Sequence, residues 1–373
     1  MSEKKKTTYE DAEERPLKET KRTPRQRMFY MAATLAWAAC GGALFSYFQM
    51  PLAWMIGAMV FTMVLAIFGV RLQGPGKGRA YMITVLGVML GSAFTPDVLD
   101  HAMRWGISLA AVVIFVILMT AMLSFALQRV FGLKRAEALL SASPGGFGEM
   151  VLIAESYNAD VKTVSMIHAT RVMFTVLLIP IYFRLFEGYV PPEVSPMGNV
   201  AGLSLEDAIV LLATAVIGYW GGKQLKLPAA ALMGPMFLSI AIHLTGWTQA
   251  KPPVELVNLA QIVLGTGVGC RFVGIERKEL INPVGIGIIC AAVTLACALG
   301  AASILEYLTN LDQLVLWIAF APGGLPEMTL ISLAMHIDTA FVATHHLARI
   351  LFIVIVISLA SRILLGKPVN EEE

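Results

Sequence analysis

The chain has 373 residues, 57% of them hydrophobic and 14% charged, with a mean hydropathy of +0.71. Ordinary soluble domains carry about 25% charge, so a water-soluble globular protein is excluded and an integral membrane protein is indicated. A net charge of +2 gives no support for a nucleic-acid partner. Cys40, Cys270, Cys290 and Cys297 form no C-x-x-C pair and lie in or beside apolar runs, which argues against both a disulfide framework and a zinc ribbon.

Residues 1–27 hold nine Lys/Arg and six Asp/Glu with Pro16 and Pro24, and are expected to form a disordered basic tail. A basic stretch abutting the first span belongs on the cytoplasmic face by the positive-inside rule. A spanning helix needs about 20 mostly apolar residues. Ten segments meet this well or nearly so: 29–48, 51–70, 79–98, 105–128, 161–183, 206–222, 228–248, 254–273, 283–306 and 339–363. Two more apolar segments, 136–157 and 314–335, are each interrupted by a Pro-Gly-Gly triplet, which lacks a backbone donor and tolerates non-helical angles.

The interrupted segments are copies of each other. Ser143-Pro144-Gly145-Gly146-Phe147-Gly148-Glu149-Met150 aligns with Ala321-Pro322-Gly323-Gly324-Leu325-Pro326-Glu327-Met328 at an offset of 178. At the same offset Asp160 meets Asp338, His168 meets His346 and Arg171 meets Arg349, while Gly87, Gly91 and Phe94 meet Gly265, Gly269 and Phe272. Pro51 and Gly57 meet Pro228 and Gly234 at 177. Two units of about 160 residues are expected, a layout typical of secondary transporters: a first repeat over 28–186, a periplasmic linker over 187–205, a second repeat over 206–365, and a cytoplasmic tail over 366–373.

Charge counting orients the repeats. If the interrupted segments return to the face they entered, each copy has five spans and the copies are inverted; if they cross, each has six and the copies are parallel. Of the 17 Lys/Arg outside the tail and excluding Arg171 and Arg349, the returning arrangement puts 14 inside and only Arg104, Arg184 and Lys251 outside. The crossing arrangement gives 10 against 7. The bias favours return. The expected fold is an all-α polytopic membrane protein of two inverted repeats, each with five transmembrane helices and one re-entrant, broken-helix hairpin. Arms of nine or ten residues reach about 15 Å at 1.5 Å per residue, half of a ~30 Å core, so the tips should meet near the midplane.

Irregular backbone at membrane depth is tolerated only where protein or a water-filled cavity satisfies it. The helix N-termini that follow the tips favour an anion. Glu149 and Glu327 either cap those N-termini or take part in substrate or cation coupling. His168-x-x-Arg171 and His346-x-x-Arg349 place His and Arg on one face of an apolar helix, where each Arg costs about 2.5–3.5 kcal/mol even on the lenient insertion scale. Each Arg either ties down its hairpin through Glu149 or Glu327, or binds a carboxylate-like anion bidentately. His168 and His346 are candidates for a coupling proton or are packed neutral rings. Substrate-binding candidates are therefore Ser143, Gly145, Gly146, Glu149, Arg171, Gly323, Gly324, Glu327, Thr329 and Arg349; ion- or proton-coupling candidates are His168, His346, Glu149 and Glu327. His101, His243 and His336 have no partner spacing that argues for a metal, and no phosphate-loop, HExxH or GxSxG motif occurs.

The duplicated [SA]-P-G-G-x-x-E-M followed by H-x-x-R, on halves of about 160 residues, resembles the bacterial AbrB membrane-protein family with its AbrB duplication, over residues 30–365. That family is unrelated to the DNA-binding regulator of the same name, and its members have been labelled ammonia monooxygenase or regulator. Copper oxygenase chemistry would need a convergent set of His or carboxylate ligands, which the sequence does not offer. Paired Gly-Gly hairpins on inverted five-span units are also similar to carboxylate and sodium symporters with re-entrant loops, which implies alternating access. The chain departs from internal symmetry at Gly148/Pro326, Ser143/Ala321 and Thr170/Ala348. The function expected is secondary active transport of a small organic anion, coupled to Na⁺ or H⁺, without catalysis or a bound cofactor. The alternatives are a membrane oxidoreductase and a membrane regulator or sensor. Expected partners are a small anion, the bilayer and a second copy in a homodimer, in a bacterial inner membrane with both termini cytoplasmic.

Overall fold

The computed structural model describes residues 23–96, 98, 105–189, 199–275 and 277–368. The expectations for residues 1–22, His101, Arg104, linker positions 190–198 and residues 369–373 lie outside the described residues. Regular structure among the described residues is helical. The first half runs α1 (Pro24–Tyr47), α2 (Ala53–Ile67), α3 (Gly78–Gly91), α4 (Gly106–Arg129), α5 (Arg135–Ala142), α6 (Phe147–Ser156) and α7 (Val161–Leu185). The second half repeats the order as α8 (Leu205–Gln224), α9 (Ala230–Leu244), α10 (Val254–Gly269), α11 (Arg277–Thr309), α12 (Gln313–Phe320), α13 (Leu325–Ala334) and α14 (Thr339–Leu365). Six of these, α1, α4, α7, α8, α11 and α14, are long and apolar enough to cross a membrane.

The other four expected spans are shorter than the sequence suggested. Helices α2, α3, α9 and α10 have 15, 14, 15 and 16 residues where about 20 were expected. Local backbone explains the difference. Leu52 and Ala229, each directly following a proline, sit in the left-handed region at φ 51° and 45° and start α2 and α9 late. Gly69 and Gly246, at φ 79° and 71°, turn the chain just after the same two helices, and α10 tightens into a 3₁₀ turn over Cys270–Phe272. These turns recur in register. Gln49 with Lys226, Leu52 with Ala229 and Gly69 with Gly246 stand 177 apart, and Gly132 with Asn310 and Asn158 with His336 stand 178 apart, all at positive φ.

Packing repeats in the same register. Helix α2 lies against α1 and α10, as α9 lies against α8 and α3. The close approaches are at glycines. A Cβ on Gly87 would meet the carbonyl of Leu232, and one on Gly265 would meet the carbonyl of Met55, the equivalent residue in the other copy. Without a hydrophobic force between apolar helices in lipid, such small-residue contacts supply the packing. Helix starts repeat too: Asp160 accepts from Lys162 N and Thr163 N at the head of α7, and Asp338 accepts from Phe341 N at the head of α14.

The two broken segments are short helix pairs, α5–α6 and α12–α13, joined by the Pro-Gly-Gly turns. Glu137 at the head of α5 accepts through Oε1 from the backbone N–H of Asp160 at 3.4 Å, although 23 residues separate them. The two arms, of 8 and 10 residues, would end about 27 Å apart if they ran straight on.

Candidate functional site

The Pro-Gly-Gly turn, or tip, of each broken pair begins where a helix ends. The last four carbonyls of a helix lack partners within it, and α5 ends inside the protein, with Ser141, Ala142 and Ser143 buried. Helix α7 satisfies them. His168 Nε2 donates to Leu140 O at 2.8 Å. Arg171 donates from Nη1 to Ser141 O at 3.0 Å and Ala142 O at 3.1 Å, and from Nη2 to Ser143 O at 2.8 Å. The remaining Nη2 hydrogen goes to His168 Nδ1 at 2.9 Å. This network assigns the imidazole as a neutral ring with its hydrogen on Nε2. The spacing H-x-x-R is thus explained by the helix it serves: one turn of α7 lays His on the first orphaned carbonyl and Arg on the next three.

The second copy does the same work with fewer bonds. His346 Nε2 lies 2.9 Å from Ile318 O, Arg349 Nη1 donates to Ala321 O at 2.5 Å, and Nη2 donates to Gly323 O. A guanidinium at a helix C-terminus also faces the negative end of the helix dipole. Both arginines are almost wholly buried, at 1% and 2% exposure. To the two roles left open from sequence these hydrogen bonds add a third: the arginines cap the first short helix of each broken pair.

The second arm explains the rest of the motif. Gly146 is the N-cap of α6 and Gly324 that of α13. A Cβ on either would collide with the Oε2 of Glu149 or Glu327, so each buried carboxylate folds back over the first residue of its own helix. That is the N3 position from which a glutamate caps, although the oxygen over Gly324, Glu327 Oε2, accepts no hydrogen bond among the described residues. A Cβ on Gly145 would lie 2.7 Å from Met150 Cε, and the same methionine contact recurs between Gly323 and Met328. In P-G-G-x-x-E-M, then, the first glycine makes room for the methionine and the second for the glutamate.

The two tips meet at one cavity. Ala142, Pro144 and Arg171 line it from the first copy, Phe320, Pro322 and Arg349 from the second, with Phe115, Val116, Met119 and Leu123 of α4 and Thr294 of α11. Four of these pairs are equivalent positions 178 apart: Val116 with Thr294, Ala142 with Phe320, Pro144 with Pro322 and Arg171 with Arg349. The cavity therefore lies where the copies face each other. Its volume is about 10 Å³, room for about one water.

Two of the lining side chains carry a buried atom without a hydrogen-bond partner among the described residues, Arg171 Nε and Arg349 Nε; Ser143 Oγ, Thr170 Oγ1, His346 Nδ1 and Glu327 Oε2 are likewise buried and unpartnered, on residues that do not line the cavity themselves. Of the sequence candidates, Arg171 and Arg349 line the cavity. Gly145, Gly146, Gly323 and Gly324 shape the tips, Glu149 and Glu327 fold over the second arms, and His168 and His346 hold the first arms. Thr329 points elsewhere, since its hydroxyl donates to Leu325 O at 2.6 Å within α13. Sequence reasoning missed the α4 wall, Thr294, Met150 and Met328. The methionines were signalled by their repetition in the motif, whereas the wall residues carry no polar signature.

An all-helical protein of membrane-spanning type, built twice over around a pair of broken helices, is the class that this fold and site define. The sequence model of one family, described as "Transition state regulatory protein AbrB", matches residues 54–365, and the chain belongs to the AbrB family. It is 24% identical over 347 residues to "Uncharacterized protein YhjN" of Bacillus subtilis (strain 168), covering 86% of this chain and 89% of that one. It is also 24% identical over 309 residues to "Putative regulator AbrB" of Escherichia coli (strain K12), covering 82% and 88%.

Proposed function

We propose that this protein is a secondary active transporter of a small organic anion, built as two inverted repeats whose re-entrant hairpins meet at the shared cavity. The observation that carries this reading is the convergence of both Pro-Gly-Gly tips and both buried arginines on that one cavity. Inversion is supported by four contacts. The Glu137–Asp160 bond sets the head of α7 beside the head of α5, hence beside the end of α4. Lys162 pairs with Glu279, which sets the head of α11 beside the head of α7. Helix α11 is the copy of α4, so the two run in opposite directions. On the other side, His345 Nε2 meets Ser108 Oγ at 2.9 Å and Phe341 packs on Trp105, bringing the head of α14 to the head of α4. Helix α14 therefore opposes its copy, α7.

With the Lys/Arg bias this arrangement puts both termini in the cytoplasm of a bacterial cell, in the inner membrane. In alternating access the hairpins part on one side and then the other, exposing the arginines to each face in turn. Na⁺ or a proton enters with the anion. Glu149, Glu327, His168 and His346 are the candidates, and His346 suits a proton best: its Nδ1 is buried and unpartnered, whereas His168 Nδ1 is held by Arg171. Transport, rather than catalysis or regulation, is the role we assign.

The test is uptake by proteoliposomes loaded with purified protein under an imposed pH or Na⁺ gradient, with a panel of labelled organic anions. Gradient-driven accumulation of at least one is expected. Saturable binding without any flux would favour a sensing role instead.

A further inference from the structure

The unpartnered donors at the cavity define the ligand more narrowly than "small anion". An arginine has five N–H donors. In Arg171 all four Nη hydrogens are taken, by Ser141 O, Ala142 O, Ser143 O and His168 Nδ1, so only Nε–H remains. In Arg349, Nη1 and Nη2 give one hydrogen each, to Ala321 O and Gly323 O, which leaves one on each, and Nε is again unpartnered among the described residues. The Ser143 hydroxyl at the first tip is fully buried and also unpartnered. Buried polar groups almost always find partners, and here two cationic donors from opposite copies lack one beside the same cavity.

What surrounds those donors is apolar. Phe115, Val116, Met119, Leu123 and Phe320 form the wall, the Thr294 hydroxyl is spent on Cys290 O, and no third cation among the described residues lines it. A second charged group on the ligand would face hydrocarbon, at the cost of burying an unpaired charge. A short hydrocarbon body would instead lose nothing and gain contact. Resting on the transport reading above, we infer that the cavity takes a single small monocarboxylate. Its two oxygens bridge Arg171 Nε and Arg349 Nε, Ser143 donates to one of them, and its body lies against α4. Ala321 stands where the second copy would need that serine, so the first tip supplies the specificity. A gap with room for about one water is the closed form; the tips part to admit the ligand.

The experiment is thermal unfolding of the purified full chain in detergent with propionate, benzoate, succinate or inorganic phosphate at equal ionic strength, since a ligand of the native state raises the melting temperature. Propionate and benzoate should give a saturable rise, with succinate and phosphate inert at the same concentrations. Ser143→Ala copies the residue already tolerated at position 321, so it should fold normally, and it should weaken monocarboxylate binding by about tenfold to a hundredfold, the worth of one hydrogen bond to a charged group. Stronger stabilisation by succinate or phosphate, no stabilisation by any of the four, or unchanged affinity in Ser143→Ala would overturn the inference. The two readings fail separately. Proteoliposomes that accumulate a dicarboxylate while monocarboxylates leave the protein unaffected would retain transport and reject this ligand. Monocarboxylate binding that depends on Ser143, with no flux of any anion, would do the reverse.

Discussion

Replacing Arg171 by methionine removes a buried cation while keeping most of its volume, and it separates a structural arginine from one that serves only a ligand. Three backbone carbonyls, of Ser141, Ala142 and Ser143, would lose donors at 2.8–3.1 Å in a site without solvent access. Each buried orphan costs about 1–3 kcal/mol. Against this, the guanidinium no longer has to be desolvated, a relief of several kcal/mol in the folded state. A water in the cavity could also serve one carbonyl. The net expectation is a loss of roughly 3 kcal/mol, within the range for breaking a buried charged network. Arg171→Lys keeps the charge but has no planar fork to reach three acceptors, so it should fall between the two. Reversible unfolding of the detergent-solubilised protein measures the difference, and hydrogen exchange locates it: the amides of residues 143–150 should lose protection ahead of the rest. Unchanged stability in Arg171→Met, within about 1 kcal/mol, together with unchanged protection at the tip, would refute the assignment of this side chain to the end of α5.

Gly146→Ala should displace the Glu149 carboxylate from the start of α6, because the added methyl takes its place. The backbone there, at φ −62° and ψ 141°, accepts alanine, so the loss should be that of a cap, about 1 kcal/mol, and a double-mutant cycle with Glu149→Ala should show the two losses overlapping rather than adding. The pair formed by Lys162 and Glu279 is half-exposed, with side chains 34% and 49% accessible, so Lys162→Glu should cost no more than about 1 kcal/mol, and the swap with Glu279→Lys should recover it. A loss several times larger in Lys162→Glu would mean that the contact fixes the two copies against each other.

Much of this was legible in the chain because duplication makes a weak signal visible twice. The Pro-Gly-Gly breaks, the ten apolar runs and the offset of 177–178 all reappear as helices, broken pairs and turns. Helix lengths were less legible. Leu52 and Ala229 begin α2 and α9 in a left-handed turn that an apolar run does not announce, so hydropathy extended those helices too far. The work of His168 and Arg171 was hidden for a different reason. A sequence shows that a buried charge must be compensated, but the partners here are main-chain carbonyls, present at every residue and marked at none. The wall of the cavity was hidden likewise, since Val116 and Met119 look like any other lipid-facing or core residues until the tips are seen to close on them.

The central claim is that the copies oppose each other, with each hairpin returning to the face it entered. Single cysteines placed in a background lacking Cys40, Cys270, Cys290 and Cys297, and challenged in intact cells with a membrane-impermeant maleimide, test it most directly. Lys162→Cys and Leu225→Cys should react only after the cells are opened, whereas Trp247→Cys and Tyr307→Cys, both well exposed, should react from outside. Labelling of positions 162 and 225 in intact cells, with 247 and 307 reacting only after the cells are opened, would mean that the first broken segment crosses the membrane, and the opposed arrangement would be wrong.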